Sequence, residues 1–388
     1  MKKLKSKWNN SMSQTKIKIL KTANKPSLYI HIPFCSHLCH YCDFTKFFYQ
    51  KKWIQSYLKT LKDEIASFNQ TSFLTLYVGG GTPTSLSEEE LEQLLKIIEP
   101  YVNQPLEYTF ECNIESTNVN KLILLKNYGV NRLSFGVQST HDQRLEEIGR
   151  KHHYSQVVDI IEQAKRIGFD RMSVDLIYGL PNQTLEELAI DVENILRLET
   201  AHISTYSLTI HPHTKAYIDK WPLLSDDKSR EMYDLILTRL REVGYERYEI
   251  SNFARPGHES VHNHVYWFSR PFYGAGYGAS GYLINDKRHY RYRNIGHFTQ
   301  YLTGHVEKED EWLDENKVEL EYLMNNLRLK NGFARAEYKD KFAVDFADRY
   351  ASKLTFLINS GLLNLTDTLV YCSDEGLIKL DYILFKLM

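Results

Sequence analysis

The stretch SLYIHIPFCSHLCHYCDF, residues 27–44, decides the fold because it joins a predicted strand to a loop with three cysteines. Residues 28–32 form a short apolar run and predict a buried β-strand. The loop that follows carries Cys35, Cys39 and Cys42 in the spacing CxxxCxxC. Since the chain has five cysteines in 388 residues, three thiols in one short loop predict a bound metal ion or an iron–sulfur cluster.

The number of thiols in this loop favours a cluster with one open iron. Structural metal sites are normally closed by four protein ligands, whereas three thiolates on a [4Fe–4S] cluster leave one iron free for a small ligand. In radical chemistry that ligand is the amino acid end of S-adenosylmethionine. Zinc is the alternative, with a histidine as fourth ligand: His31, His37 or His40. A disulfide framework is not expected, because the cysteine count is odd and we recognise no secretory signal.

Composition and charge exclude several classes of protein. With 43% hydrophobic residues the chain can build a large core, and its net charge of −1 gives no general reason to expect binding to nucleic acid. No apolar run is long enough to span a bilayer, so we expect a soluble, cytoplasmic protein. Residues 1–25 are the exception, with eight lysines and no acidic residue. We expect a disordered extension there, and the lysines would also suit peripheral contact with an anionic membrane.

Six short apolar or β-branched runs alternate with helical patterns between residues 27 and 210. They are residues 28–32, 74–78, 107–112, 132–136, 171–177 and 203–208. This repetition predicts a parallel sheet, either doubly wound or a partial barrel. Polar or glycine-rich positions at the strand ends favour the barrel, in which they would meet at one face. We therefore predict an α/β fold, a partial (βα)6 barrel followed by a smaller, mainly helical C-terminal domain.

The same patterns suggest a division of the chain. The predicted segments are an extension at 1–25, a barrel at 26–250, a connecting segment rich in His, Tyr and Gly at 251–295, and a C-terminal domain at 296–388.

Two features after the strands are candidates for a ligand pocket. The run GGGTPT at residues 79–84 would let the backbone approach a ligand closely, although three glycines also suit a plain turn. Four polar residues would point into the same pocket: Glu111, Gln138, Arg150 and Asp175. Carboxylates there could hold an amino group or ribose hydroxyls, and Arg150 a carboxylate. Taken singly, Glu111 and Arg150 could equally be surface residues in salt bridges.

Residues 27–335 resemble the radical S-adenosylmethionine proteins of the oxygen-independent coproporphyrinogen III oxidase family. The matching landmarks, in order, are YIHIPFCSHLCHYCDF, GGGTPT, FECN, FGVQS, IGRKHH, VDLIYGLPNQT and YSLTI. The resemblance implies that Cys35, Cys39 and Cys42 bind the cluster. It also implies an S-adenosylmethionine pocket made of eight residues: Tyr29, Gly80, Gly81, Thr82, Glu111, Gln138, Arg150 and Asp175.

Within that family the chain resembles the HemW branch, the haem chaperones, more than the dehydrogenases. The dehydrogenase pattern has a fourth cysteine two residues after the third, whereas here Asp43 and Phe44 follow Cys42. The chain also contains the HNxxYW signature of the chaperone branch: His262, Asn263, Tyr266 and Trp267. NNLRLKNGF at residues 325–333 resembles the start of the HemN-type C-terminal domain.

The resemblance implies that the protein binds haem and passes it to acceptor proteins, including respiratory ones at the membrane. The alternative function is a dehydrogenase that uses the deoxyadenosyl radical to decarboxylate the propionates of coproporphyrinogen III. Within the signature, His262 is the candidate axial haem ligand, because imidazole is the usual proximal donor. His258 and His264 are nearby competitors, and a hydrogen-bonded structural role for His262 is the alternative.

Overall fold

A twelve-stranded mixed sheet forms the body of the protein, whose computed structural model describes residues 11–388. The strands are β1 (Ser27–Ile32), β2 (Phe34–Cys35), β3 (Phe47–Phe48), β4 (Thr75–Gly80), β5 (Glu107–Asn113), β6 (Arg132–Gln138), β7 (Met172–Tyr178), β8 (His202–Ser207), β9 (Glu246–Arg247), β10 (Asn252–Ala254), β11 (Phe272–Ala275), β12 (Ser280–Asn285), β13 (Arg288–Ile295), β14 (Glu307–Leu313), β15 (Phe333–Ala334), β16 (Leu363–Leu365) and β17 (Leu369–Cys372). The order in the large sheet is β14-β13-β12-β11-β1-β4-β5-β6-β7-β8-β10-β9.

Helices cover the outer face of the sheet and build the C-terminal part. They are α1 (Ser11–Thr22), α2 (Lys51–Ser67), α3 (Glu88–Ile98), α4 (Val119–Asn127), α5 (Asp142–Glu147), α6 (Tyr154–Ile167), α7 (Leu185–Arg197), α8 (Lys215–Ile218), α9 (Asp226–Glu242), α10 (Val261–Trp267), α11 (Phe298–Leu302), α12 (Glu315–Leu327), α13 (Arg335–Phe342), α14 (Phe346–Arg349), α15 (Ala351–Asn359), α16 (Asp374–Ile378) and α17 (Leu380–Leu387). Capping boxes begin α3, at Ser87 with Glu90, and α7, at Thr184 with Glu187. Each box satisfies backbone N–H groups that the first turn leaves unpaired.

Six neighbouring parallel strands, β1 and β4 to β8, form the partial (βα)6 barrel and confirm the predicted fold class. Along each strand, side chains alternate between two faces. The outward set is apolar and packs against the helices, as with Leu76, Phe110 and Val174. The inward set is polar, as with Glu111 and Asp175, and lines a cavity. The core therefore lies between sheet and helices, and the barrel interior is left for a polar ligand.

The segment between residues 251 and 295 extends the sheet. β11 pairs in parallel with β1, and β12 to β14 follow as an antiparallel meander. The sequence pattern of His, Tyr and Gly did not predict these strands. β14 lies beyond residue 296 and still belongs to the large sheet. The division of the chain at residues 25, 250 and 295 stays a prediction.

The C-terminal part has its own apolar core. A three-stranded sheet, in the order β15-β17-β16, packs with α12 to α17 around buried residues such as Leu327, Phe346 and Ile383. This agrees with the predicted smaller, mainly helical domain. One link to the barrel is the Arg328 guanidinium, which donates to the buried Glu249 carboxylate at 2.8 Å.

The Lys-rich start divides into two parts. Residues 1–10 lie outside the described residues, so the predicted disorder stays a prediction there. Residues 11–22 form the helix α1 instead, because Leu20 is fully buried against Leu74, Val261 and Val265. Within residues 11–388, no helix is both long and apolar enough to cross a membrane.

Candidate functional site

A cavity of about 400 Å³ opens at the carboxyl ends of the parallel strands. The lining includes ten of the residues that the sequence analysis selected: Cys35, Cys39, Cys42, Gly80, Gly81, Thr82, Glu111, Gln138, Arg150 and Asp175. They come from six elements spread over 140 positions of the sequence. The structure thus brings the cysteine loop and the predicted cofactor residues into one site.

The cysteine loop is held at the cavity by backbone hydrogen bonds to neighbouring segments. The Tyr49 N–H donates to the Cys35 carbonyl at 2.9 Å, and the His40 N–H donates to the Ile148 carbonyl at 3.0 Å. These bonds hold the first residue and an interior residue of the CxxxCxxC segment. They leave the three thiols on the cavity side, where each of them contributes to the lining.

Two polar side chains approach the sulfurs directly. Thr82 Oγ1 lies 3.4 Å from Cys35 Sγ, and Arg150 Nη1 lies 3.6 Å from Cys39 Sγ. Hydrogen bonds to cluster sulfurs are one of the means by which proteins set the reduction potential of an iron–sulfur cluster. The contacts therefore suit thiolate ligands.

Two of the three thiols have raised pKa values, which a bound metal would lower again. Burial raises the pKa of Cys35 to about 12, and burial also raises the pKa of Cys42. A bound metal reverses this effect because coordination stabilises the thiolate. Among residues 11–388, no group of three or more His, Cys, Asp or Glu side chains is arranged around a single ion position.

The glycines after β4 allow the chain to pass close to the cysteine loop. A Cβ on Gly81 would lie 2.9 Å from the Pro33 carbonyl carbon and 3.0 Å from Cys35 Sγ. Gly80 has φ +116°, and its N–H donates to Glu111 Oε2 at 3.0 Å. The GGGTPT run is therefore a close-packed wall of the cavity rather than a plain surface turn.

The pKa values of two carboxyl groups inside the barrel are raised toward neutral pH. Burial raises the pKa of Glu111 to about 7, although the Tyr77 hydroxyl and the Gly80 N–H donate to this carboxylate. Burial raises the pKa of Asp175 to about 6, and its Oδ1 has no hydrogen-bond partner in the described protein. An unpaired buried acceptor is costly. It fits a ligand that brings hydroxyl or ammonium donors.

Arg150 is anchored by a group that the sequence analysis missed. Its Nη2 donates to the Gly136 carbonyl at 2.7 Å and to Glu115 Oε2 at 3.2 Å. The same Glu115 oxygen lies 3.2 Å from His152 Nδ1. Glu115 follows the landmark FECN by two residues, and Arg150 and His152 lie within the landmark IGRKHH. The position of Glu115 beside a landmark was the signal in the sequence that could have revealed it. Gln138 lies at a β-bulge with φ +71°, which turns the end of β6 at the cavity.

Tyr29 stands apart from the other predicted residues. In the described part of the chain it is not among the cavity-lining residues. Its hydroxyl hydrogen-bonds His31 Nδ1 at 2.9 Å, and its ring lies 5.9 Å from the ring of Tyr77. Tyr29 therefore packs beside the lining residue Tyr77.

His262, the candidate axial haem ligand, lies in a closed, hydrogen-bonded environment. It is completely buried, and its ring nitrogens hydrogen-bond Thr75 Oγ1 and the Tyr266 hydroxyl, each at 2.8 Å. Burial lowers the pKa of His262 to about 3. With both nitrogens engaged, the ring offers no lone pair to a haem iron in this conformation. The competitor His264 is also buried, and its Nδ1 bonds the Ser260 carbonyl oxygen at 2.7 Å.

The helix that carries His262 closes the opposite end of the barrel from the cysteine loop. The start of α10 is capped by Glu107, which accepts from the Ser260 hydroxyl and the N–H groups of Val261 and His262, each at 3.0 Å. Because Glu107 and Thr75 are the first residues of β5 and β4, these contacts place α10 below the strands. We call this helix with its Glu107 cap the barrel floor.

One residue of the signature does reach the cavity. Asn263 is in the lining together with Ser134, Asp175 and Ser204 from the strands. At the far end of α10, the Arg328 guanidinium stacks 3.7 Å from the Trp267 ring centre. The HNxxYW segment therefore connects the base of the cavity with the C-terminal domain.

Comparison with known proteins agrees with this geometry. Residues 29–195 match the model of the Radical SAM superfamily, and residues 313–378 match the HemN C-terminal domain. The chain is 37% identical over 366 residues to the heme chaperone HemW of Bacillus subtilis (strain 168), covering 90% of this chain and 96% of that protein. It is 38% identical over 360 residues to the heme chaperone HemW of Lactococcus lactis subsp. lactis (strain IL1403), covering 90% of this chain and 94% of that protein.

Among solved structures, the fold resembles that of coproporphyrinogen III oxidase (HemN) from Escherichia coli. The TM-score is 0.81 at 23% identity, with 96% of this chain and 93% of that chain covered. At this identity the likeness concerns the fold.

A radical S-adenosylmethionine domain uses a [4Fe–4S] cluster together with S-adenosylmethionine, which confirms the two cofactors predicted for the barrel. The three thiols, the glycine wall and the unpaired Asp175 Oδ1 acceptor fit both cofactors. With the radical-SAM domain, the HemN-type C-terminal domain and more than a third of its residues shared along nearly the whole of two relatives, the chain belongs to the HemW family of radical S-adenosylmethionine proteins.

Proposed function

We propose that this protein is a haem chaperone, which binds haem and passes it to acceptor proteins. The observation that carries the proposal is the likeness to heme chaperone HemW over 90% of the chain. The cysteine loop supports it, because Phe44 stands where the dehydrogenase pattern has its additional cysteine.

We assign the cofactor roles to the residues that meet at the cavity. Cys35, Cys39 and Cys42 hold the [4Fe–4S] cluster, which supplies one electron to bound S-adenosylmethionine. The remaining lining residues receive S-adenosylmethionine: Gly80, Gly81, Thr82, Glu111, Gln138, Arg150 and Asp175. Tyr29 supports this pocket through the neighbouring ring of Tyr77.

The acceptors in this proposal include respiratory enzymes, some of them at the membrane. The protein would work in the cytoplasm and meet the membrane peripherally. Part of the contact would come from the lysines of residues 1–25, since each basic residue near an anionic surface contributes about 1 kcal/mol. Of this segment, residues 1–10 lie outside the described part of the chain.

The test is haem binding and release by the cluster-loaded protein. The full chain is reconstituted anaerobically with iron and sulfide, titrated with haem, and mixed with a haem-free acceptor such as apomyoglobin. We expect one tightly held haem per chain, which appears in the acceptor during incubation. Protein that holds its cluster but retains no haem would contradict the proposal.

The alternative is radical decarboxylation of coproporphyrinogen III. It is favoured by one observation, the complete set of predicted cofactor residues around the cavity apart from Tyr29. Anaerobic incubation with coproporphyrinogen III, a reductant and S-adenosylmethionine separates the two functions. We expect no protoporphyrinogen, and its formation would favour the dehydrogenase.

A further inference from the structure

Two aromatic side chains of the cavity lining are partly exposed to solvent. Phe44 is 64% exposed and Tyr206 is 45% exposed, and both belong to the cavity lining. Phe44 lies on the cysteine loop, and Tyr206 lies near the end of β8. Large exposed apolar groups beside a cavity are typical of sites that bind an apolar partner.

Two histidines line the same cavity within residues 11–388, His37 and His211. The His211 side chain is 47% exposed, and its ring Nε2 lies 3.5 Å from Asp43 Oδ2. That distance is at the limit of a hydrogen bond. The imidazole is therefore accessible, in contrast to that of His262, whose two nitrogens both have partners at 2.8 Å.

A cation completes the set of groups at the mouth. The Lys46 ammonium also lines the cavity, and it donates to the carbonyl oxygens of Cys42 and Phe44. In the described structure no carboxylate is paired with it, although it also contacts the Cys42 thiol. It therefore adds positive charge at the edge of the cysteine loop, where an anion would be attracted.

These groups match the chemistry of haem. The macrocycle is a flat apolar ring, its iron takes a neutral imidazole, and its propionates are anionic. We propose that haem lies across the mouth of the cavity with one face on Phe44, its iron ligated by His211 or His37, and a propionate near Lys46. The inference rests on the proposed function and moves the haem site from the barrel floor to the cavity mouth.

The test uses the cluster-loaded full chain with ferric haem, followed by absorbance and by electron paramagnetic resonance of the haem iron. The variants are H211A, H37A and the double variant, with H213N as the matched control. His213 lies on the same loop as His211 and is exposed, and Asn tolerates its φ of +70°. We expect the double variant to lose the imidazole-ligated signal and one single variant to account for most of that loss, while H213N keeps the signal.

A second pair of variants tests the aromatic contact without touching a histidine. F44A removes the proposed platform, and F48A removes another exposed aromatic ring, at 56% exposure, that is not in the lining of the described cavity. We expect haem to dissociate about tenfold faster from F44A, since an aromatic contact of this kind corresponds to roughly that factor. F48A should release haem at the wild-type rate.

The outcomes distinguish the inference from the function. Haem binding that survives in the H37A/H211A double variant, or that is lost only when His262 is replaced, would overturn the proposed site and leave the chaperone function standing. Failure of the wild-type protein to bind haem at all would remove both.

Discussion

The cavity mouth and the barrel floor both carry histidines beside aromatic rings, yet they have opposite surroundings. At the floor, His262 is fully buried and both of its ring nitrogens are hydrogen-bonded. At the mouth, His211 is about half exposed, and its ring lies at a longer distance, 3.5 Å, from Asp43 Oδ2. A histidine in a recognisable signature can therefore serve the fold, while one outside it remains chemically available.

The same contrast holds for the charged groups. The floor carboxylate Glu107 has Arg171 at 3.1 Å and Arg132 at 4.0 Å, and it accepts four further hydrogen bonds. The Asp175 Oδ1 atom, nearer the mouth, has none in the described protein. Polar groups whose hydrogen bonds are all made within the protein stabilise the fold. Polar groups around a cavity that lack partners can bind a ligand.

The largest expected effect is at the mouth, on cofactor content. C39A should reduce the iron content of anaerobically reconstituted protein from about four per chain to near zero. Its unfolding temperature without cofactor should stay close to that of the wild type. The control is C372A, which changes a thiol in the C-terminal core and should keep the cluster. Full iron content in C39A would show that this thiol is not a ligand.

At the floor, E107A should destabilise the fold strongly. It leaves the guanidinium groups of Arg132 and Arg171 buried without their carboxylate, which costs about 3–5 kcal/mol. Chemical denaturation measures this loss, with the exposed Glu309→Ala as control. These charged neighbours and the backbone donors hold the pKa of Glu107 down to about 2. This contribution is therefore present above about pH 4.5 in the wild type and lost as the pH falls toward 2. A loss below 1 kcal/mol would contradict the structural role of Glu107.

A smaller effect separates the two histidines. H262A should lower the free energy of unfolding by about 2–3 kcal/mol, because two hydrogen bonds disappear and leave a buried polar partner unsatisfied. H211A should change it by less than about 0.5 kcal/mol, as expected for an exposed side chain. Thermal unfolding of both proteins checks the comparison. Equal losses of stability in the two variants would contradict the structural difference between His262 at the floor and His211 at the mouth.

The smallest expected effect concerns pH and the carboxyl groups between the two regions. Because the raised pKa of Glu111 is about 7, its carboxylate forms mainly above neutral pH and then accepts hydrogen bonds from a ligand. The affinity for S-adenosylmethionine should therefore rise roughly tenfold from pH 6 to pH 8. Calorimetry on the cluster-loaded protein checks this. E111Q should flatten the profile, and an unchanged profile would assign the titration to another group.

The sequence predicted the barrel strands well because each strand leaves a local record. The apolar outward set and the polar inward set alternate with a period of two, as in residues 107–112, and helical patterns separate the runs. The cysteine spacing and the glycine run are equally local. These features do not depend on what packs against them, so residues such as Cys35, Gly81 and Glu111 could be placed at the cavity before the fold was known.

What the sequence by itself determined is the barrel, the cysteine loop and the set of polar residues at the strand ends. The tertiary structure decided which histidine remains available, where α10 lies, and that residues 251–295 extend the sheet. The physical reason is that the accessibility of a side chain depends on partners far away in the chain. His262 meets Thr75 from 187 positions earlier, and α10 takes its cap from Glu107 on another strand. No local pattern around residue 262 records those contacts.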